Sequence, residues 1–124
     1  MSSEHLEQAA LFEWAALMEG RLPHIERMFA VPNGGKRNIS VARKMKAEGL
    51  KPGVPDIFLP VARGGYHGLF IEMKYRANKP SDLQVGWLDY LANAGYCTAV
   101  CWGCDDAIET LIDYYSMDEY NEND

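Results

Sequence analysis

The chain has few cysteines, no long apolar run and no basic residue among its last twenty positions. Its three cysteines, Cys97, Cys101 and Cys104, are an odd number, which argues against a framework of disulfides. Their spacing is compatible with zinc, but no fourth ligand is evident, and Cys97 shares an apolar, strand-like run with Cys101. We therefore interpret them as thiols that pack as small apolar groups.

Membrane and secretory segments are also lacking. No apolar run reaches the roughly 18 residues that a membrane-spanning helix needs. Glu4, His5 and Glu7 interrupt the N-terminus where a signal peptide would be apolar. We expect a cytoplasmic protein with no membrane contact. With 124 residues, 48% of them hydrophobic, the chain can form one domain around a core.

The net charge of −6 conceals an uneven distribution. Residues 105–124 carry eight acidic and no basic side chains, whereas the rest of the chain carries 12 basic and 10 acidic ones. Six of the twelve basic residues lie between positions 36 and 51. Such a segment can contact phosphates even in an acidic chain, although a solvated helix face is the simpler interpretation.

Hydrophobic spacing and turn residues predict an alternation of helices and strands. The predicted order is helix 3–19, strand 27–31, helix 40–48, a strand starting near residue 56, strand 69–75, helix 82–93, strand 96–102 and a last helix ending near 115. This order predicts an α/β fold with a central mixed β-sheet flanked by helices. We assign residues 1–115 to a single domain and residues 116–124 to an acidic, flexible tail.

Helical spacing also predicts which side chains the helices bury. In the first helix, the apolar positions at helical spacing are Leu6, Ala10, Trp14 and Leu17. In the third helix, Trp87 and Tyr90 are expected in the core, with a dimer interface as the alternative.

Two carboxylates and a lysine lie within apolar runs, where a charged side chain is costly to bury without a partner. Asp56 precedes Ile57-Phe58-Leu59, and sixteen positions later Glu72 and Lys74 alternate with apolar residues. The glycine-rich turn between the two runs predicts a hairpin. If it pivots near Gly64, Asp56 lies opposite Glu72, and Glu72 and Lys74 share one face of their strand.

Paired carboxylates of this kind are hard-oxygen ligands for Mg²⁺ or Mn²⁺. Asp56 and Glu72 would bind the cation, and the main-chain carbonyl of Met73 could be a further ligand. Lys74 could orient a water molecule or stabilise charge that develops on a phosphate. The alternative is an ordinary cross-strand ion pair on a solvated sheet. The apolar context and the one-hairpin separation favour the metal site.

Several motifs in order along the chain resemble the VRR-NUC domain, in its short stand-alone form, of the PD-(D/E)xK nuclease superfamily. Pro55-Asp56 followed by Glu72-Met73-Lys74 carries the superfamily pattern. The closer resemblance rests on further segments before and after these positions: Glu4-His5-Leu6-Glu7-Gln8, Pro32-Asn33-Gly34-Gly35-Lys36-Arg37, Gly49-Leu50-Lys51-Pro52-Gly53-Val54, Leu83-Gln84-Val85-Gly86-Trp87-Leu88 and Gly95-Tyr96.

The resemblance implies a restriction-endonuclease-like fold and a divalent-metal-dependent DNA endonuclease with catalytic Asp56, Glu72 and Lys74. It also implies an acidic metal ligand from the first helix. Glu4 fits that position best, and Glu7 is the alternative. Gln84 resembles a glutamine that lies near the metal or the phosphate in these nucleases.

The basic segment then has a role as a DNA-binding surface that positions phosphates without reading sequence. Its candidate residues are Asn33, Lys36, Arg37, Arg43, Lys44 and Lys46. The resemblance further implies a homodimer that cleaves branched or flapped DNA, including four-way (Holliday) junctions, in replication, repair or recombination. Two alternatives remain open: a non-cleaving DNA-binding module with the same fold, and a sequence-specific restriction-type enzyme.

Overall fold

The computed structural model describes residues 3–32 and 39–119. Four α-helices and four strands follow one another along the chain, with a short 3₁₀ turn at Ile25–Arg27. In order, they are α1 (Glu4–Leu17), β1 (Phe29–Ala30), α2 (Ile39–Ala47), β2 (Ile57–Leu59), β3 (Leu69–Lys74), α3 (Asp82–Asn93), β4 (Cys97–Trp102) and α4 (Cys104–Tyr115). This order agrees with the predicted alternation of helices and strands.

The strands form one mixed sheet in the order β1-β2-β3-β4. The β1–β2 and β2–β3 pairs are antiparallel, and the β3–β4 pair is parallel. Parallel neighbours need a crossover connection, and α3 supplies it between β3 and β4. A mixed sheet with flanking helices confirms the predicted α/β class.

The hairpin formed by β2 and β3 has the predicted register. Ile57 pairs with Ile71, and Leu59 with Leu69, so the next position along places Asp56 opposite Glu72. Gly64 lies at the midpoint of the connection and has a φ of +57°, a left-handed conformation that glycine adopts at little cost. A slip of one residue would move the carboxylates to opposite faces, and burial of the alternate apolar residues prevents it.

One face of the sheet forms the main core with α1 and α4. Leu11 and Ala15 of α1 are buried there, whereas Leu6 is 50% and Leu17 76% exposed. The predicted face of α1 was therefore wrong for Leu6 and Leu17, whereas Trp14 does pack against the core. In the first turns of α1, the side of the helix that faces the protein interior carries polar residues. The apolar residues of that segment therefore do not indicate which side of the helix is buried.

On the opposite face of the sheet, α3 packs against β4 and buries Leu88 and Leu91. Tyr90 is 65% exposed and Trp87 is partly exposed, so the prediction that both belong to the core was wrong. They share an outward stripe with Leu83, because residues three and four apart lie on one side of a helix.

The end of the described chain lies against the hairpin turn. The Gly64 amide donates a 2.8 Å hydrogen bond to the carbonyl of Asp118, and Arg63 lies 3.7 Å from the Glu119 carboxylate. Residues 120–124 of the predicted tail lie outside the described residues, and the domain limits stay a prediction. Within residues 3–32 and 39–119, no helix is both long and apolar enough to cross a membrane.

Candidate metal centre

Three carboxylates converge at the end of the hairpin opposite its turn, where β2 begins and β3 ends. Asp56 directly precedes β2, Glu72 lies in β3, and Glu4 is the first residue of α1. One oxygen from each carboxylate lies within 4.8 Å of the other two. The structure thus brings together the three side chains that the sequence analysis selected as metal ligands.

The Asp56 carboxylate is only 4% exposed, and a main-chain amide fixes its position. Its Oδ2 accepts a 2.8 Å hydrogen bond from the amide of Met73, on the neighbouring strand. This hydrogen bond joins the segment that precedes β2 to β3 and orients the carboxylate. Met73 therefore contributes its amide to the site, and its carbonyl as a metal ligand stays a prediction.

The Glu72 carboxylate is almost fully buried, with 1% exposure. Its Oε2 accepts a 3.3 Å hydrogen bond from Nε2 of Gln84 and lies 3.9 Å from Nζ of Lys74. Its Oε1 is buried and accepts no hydrogen bond from the described residues. A buried acceptor without a partner costs free energy, so this oxygen is suited to an additional ligand.

Gln84 is held by the start of its own helix. Its Oε1 accepts from the Ser81 amide at 2.8 Å, and its own amide donates to the Ser81 hydroxyl in a reciprocal capping box. The side-chain Nε2 is then left to donate to Glu72. Gln84 therefore lies beside the carboxylates, as the resemblance implied.

Electrostatics at the centre disfavour a full set of ionised carboxylates in the metal-free protein. Burial raises the pKa of Glu72 to about 9, neighbouring Asp56 adds to the rise, and Lys74 opposes it. Burial also raises the pKa of Glu4, with a further contribution from Asp56. One lysine cannot offset three clustered acids, whereas a divalent cation can.

The donor set fits a hard divalent cation. Carboxylate oxygens are the ligands that Mg²⁺ and Mn²⁺ prefer. The three carboxylate oxygens lie within 4.8 Å of one another, so shifts of their side chains could bring all three to one ion. Glu4, Asp56 and Glu72 could therefore hold such an ion.

Glu7, the alternative first-helix ligand, has a different position. Its Oε1 accepts a 2.9 Å hydrogen bond from the Cys104 amide, at the start of α4. The N-cap of α4 is Gly103, which has no side chain to cap the helix, so Glu7 takes this role from another helix. A Cβ at position 103 would lie 2.9 Å from the same oxygen. Glu4 reaches the carboxylates, and Glu7 joins α1 to α4.

An open cleft of about 420 Å³ adjoins the centre on the α1 side. Asp56 and Glu4 form part of its wall, and His5, Gln8 and Phe12 continue it along α1. Sequence reasoning did not select His5 or Gln8 individually. Gln8 follows Glu4 by four residues, a spacing that could have placed it on the same side of the helix, whereas no such signal marks His5.

The predicted DNA-binding residues are divided between described and undescribed parts of the chain. Arg43, Lys44 and Lys46 are exposed on α2, a helix that buries none of its own residues. The other three candidates, Asn33, Lys36 and Arg37, lie outside the described residues.

The cysteines form no metal cluster with one another in the described chain. Cys101 is buried and donates to the hydroxyl of Thr110 at 3.4 Å.

A mixed sheet whose hairpin carries Asp56 and Glu72-x-Lys74 places this chain in the PD-(D/E)xK nuclease superfamily. The model of the VRR-NUC domain matches residues 4–105, and the chain belongs to that family. A solved structure described as a VRR_NUC domain protein superposes with a TM-score of 0.81 at 28% identity, covering 98% of this chain and 94% of the other. Among curated proteins, the comparison finds no match. Membership of the family indicates nuclease activity in general, with DNA as the substrate and a divalent cation as the usual cofactor.

Proposed function

We propose that this chain is a Mg²⁺- or Mn²⁺-dependent endonuclease that hydrolyses phosphodiester bonds in branched DNA. The observation that carries the proposal is the buried group of Glu4, Asp56 and Glu72, with Lys74 beside it. A surface cluster of acids would be solvated and mobile. Here two of the three carboxylates are nearly inaccessible, and each is held by a hydrogen bond from another segment of the chain.

Each residue has a separate part in the proposed reaction. Glu4, Asp56 and Glu72 bind the cation, which polarises a phosphoryl oxygen and lowers the pKa of a water molecule when bound. Lys74, with its ammonium group next to Glu72, orients the attacking water or stabilises the charge that builds up on the phosphate. Gln84 holds Glu72 through its side-chain amide.

DNA binding in this proposal relies on the basic helix α2. Arg43, Lys44 and Lys46 are exposed, so they are available to phosphates. Contacts of this kind position DNA without reading its sequence, and selectivity then comes from the shape of the branch. Since the substrate would be intracellular DNA, we expect the protein to act in the cytoplasm.

A homodimer would supply two centres for the two strands of a symmetric junction. The outward stripe of α3, formed by Leu83, Trp87 and Tyr90, is the candidate interface, because it is a nearly uninterrupted apolar surface. Light scattering should give the mass of two chains, and Tyr90→Lys should shift it toward one. Ile112→Lys, at an exposed apolar position on α4, is the matched control and should leave the mass unchanged. A single-chain mass for the unaltered protein would exclude the dimer.

Cleavage can be tested with labelled four-way junction, flap, duplex and single-stranded substrates, each with Mg²⁺, Mn²⁺ or EDTA. Asp56→Ala, Lys74→Ala and Glu4→Ala should each lower the rate by at least about a hundredfold, since each removes a group acting on the reacting phosphate. Glu13→Ala, an exposed acid on the same helix as Glu4, is the matched control.

Full activity in Asp56→Ala or Lys74→Ala, with the fold preserved, would refute the proposed centre. Binding without cleavage on every substrate would instead indicate the non-cleaving DNA-binding module. Cleavage confined to one sequence of random duplex would indicate a restriction-type enzyme.

A further inference from the structure

An aromatic side chain lies next to the proposed centre on the same face of the sheet. In the parallel pairing of β3 and β4, Lys74 is the partner of Trp102, and Glu72 is the partner of Val100. Residues directly opposite one another on neighbouring strands project to the same face, and their strands are about 4.8 Å apart. Trp102 therefore lies one strand away from Lys74, on the side that also carries Glu72.

Trp102 is exposed although it ends a strand of the central sheet. It is 45% accessible. Its indole Nε1 donates a 2.8 Å hydrogen bond to the carbonyl of Asn78, and its main-chain amide donates at 2.8 Å to the carboxylate of Asp106. The ring is thus held through its Nε1, and the main chain that carries it is held through its amide, while much of the ring surface faces solvent. A side chain already fixed in this way loses little conformational entropy when a ligand covers it.

The loop that holds the indole also carries positive charge. Arg76 and Lys79 are both exposed between β3 and α3, on either side of Asn78. The Arg76 guanidinium lies 5.0 Å from the centre of the Tyr75 ring. An aromatic surface next to cationic side chains is the combination that binds single-stranded nucleic acid, since rings stack on bases and cations contact phosphates.

We propose that Trp102 stacks on an unpaired nucleobase of the DNA strand whose phosphate is at the Glu72–Lys74 centre. The inference rests on the proposed nuclease function and specifies the substrate class: a strand that is unpaired within about one or two nucleotides of the cleaved bond. A base inside a continuous duplex has both faces covered by its neighbours. Flaps and junctions can release such a base, so the stacking site would contribute to selection of branched over linear DNA.

The competing explanation is that the indole only anchors the loop through its hydrogen bond to Asn78. Two substitutions separate these roles. Trp102→Phe and Trp102→Leu both lose the indole N–H, but only Trp102→Leu loses the aromatic surface. Binding is measured in EDTA, which prevents cleavage, with an oligothymidylate of about 12 nucleotides, a flap and a blunt duplex.

Stacking predicts that Trp102→Phe binds the oligothymidylate and the flap within about threefold of the unaltered protein. Trp102→Leu should bind them about tenfold more weakly, within the range measured for loss of one base–aromatic contact. Duplex binding should be similar in both variants. Equal affinities of the two variants for the unpaired substrates would overturn the stacking role. Urea unfolding of both variants shows whether any difference arises from the fold.

A second measurement reports on the ring itself. Trp14→Phe combined with Trp87→Phe leaves Trp102 as the single tryptophan of the three in the chain. Oligothymidylate should quench its fluorescence, and abasic nucleotides should not. An emission unchanged by saturating oligothymidylate would overturn the proposal.

Two outcomes separate loss of the stacking role from loss of the proposed nuclease function. If the unaltered protein cleaves branched DNA but Trp102→Phe and Trp102→Leu behave alike, only the stacking role is lost. If the unaltered protein neither binds nor cleaves any of the DNA substrates, the proposed function fails and the stacking role fails with it.

Discussion

Substitution of Glu72 by glutamine should remove the proposed activity. At alkaline pH it should also make the metal-free protein more stable. Glu72 is 1% exposed, and its pKa is raised from 4.5 to about 9 by burial and by Asp56. The folded protein therefore keeps a proton on this carboxyl over a pH range in which the unfolded chain has released it. Stability from this group is fully present below pH 4.5 and is lost as the pH rises toward about 9.

Glutamine has nearly the same shape and does not titrate. Its amide oxygen can accept from Gln84, as Oε2 of Glu72 does, and its amide nitrogen can donate to the neighbouring Asp56 carboxylate. Near pH 5, the free energy of unfolding should be similar in the two proteins. By pH 9, the difference should reach several kcal/mol in favour of Glu72→Gln, and at most about 6 kcal/mol, because the pKa is raised by about 4.5 units and each unit corresponds to about 1.4 kcal/mol.

Urea unfolding followed by circular dichroism in EDTA, between pH 5 and pH 9, measures this difference directly. Titrating groups away from the centre cancel in the comparison, and Glu13→Gln, at an exposed position, serves as the control. Added Mn²⁺ should stabilise the unaltered protein more than Glu72→Gln, because ligand binding to the folded state raises its stability. A stability difference that stays constant across the pH range would refute the reasoning.

Three further substitutions test the supports of the fold. Glu7→Ala should remove the cap at Cys104 and cost about 1 kcal/mol in urea unfolding, with weaker Mn²⁺ binding by calorimetry, whereas Glu7→Gln should retain most of both. Tyr114→Phe removes the buried 2.6 Å hydrogen bond to the Val61 carbonyl and should cost about 1–3 kcal/mol in the same assay. Gly68→Ala should lower the thermal midpoint, because a Cβ there would lie 2.8 Å from both a main-chain oxygen and a phenylalanine ring. Unchanged unfolding in any of the three would contradict the corresponding contact.

The hairpin and its carboxylates could be predicted because strand geometry leaves few choices. Side chains alternate between faces, so Glu72 and Lys74 had to lie together once both belonged to one strand. The apolar residues around Asp56 and the turn at Gly64 then defined the register, which the structure confirms. Local periodicity and one turn were sufficient for this part of the site.

The contribution of α1 could not be derived in the same way. Glu4 and Glu7 lie three residues apart, so both fall on roughly the same side of the helix. Glu4 lies at the candidate site, whereas Glu7 caps α4. This difference depends on the start of α4, which lies 97 positions after Glu7 in the chain. The face of α1 was predicted only in part for a related reason, since its inward stripe begins with polar residues of the candidate site.

The supports of the carboxylates distinguish this centre from a chance acidic cluster. Asp56 is held by the Met73 amide, and Glu72 is held by Gln84 through the cap of α3. Glu4 lies at the start of a helix that Glu7 joins to α4. Like charges held together in this way destabilise a metal-free fold. Three independent supports for a destabilising arrangement are expected where a divalent cation repays the cost, and a surface acidic patch would need none of them.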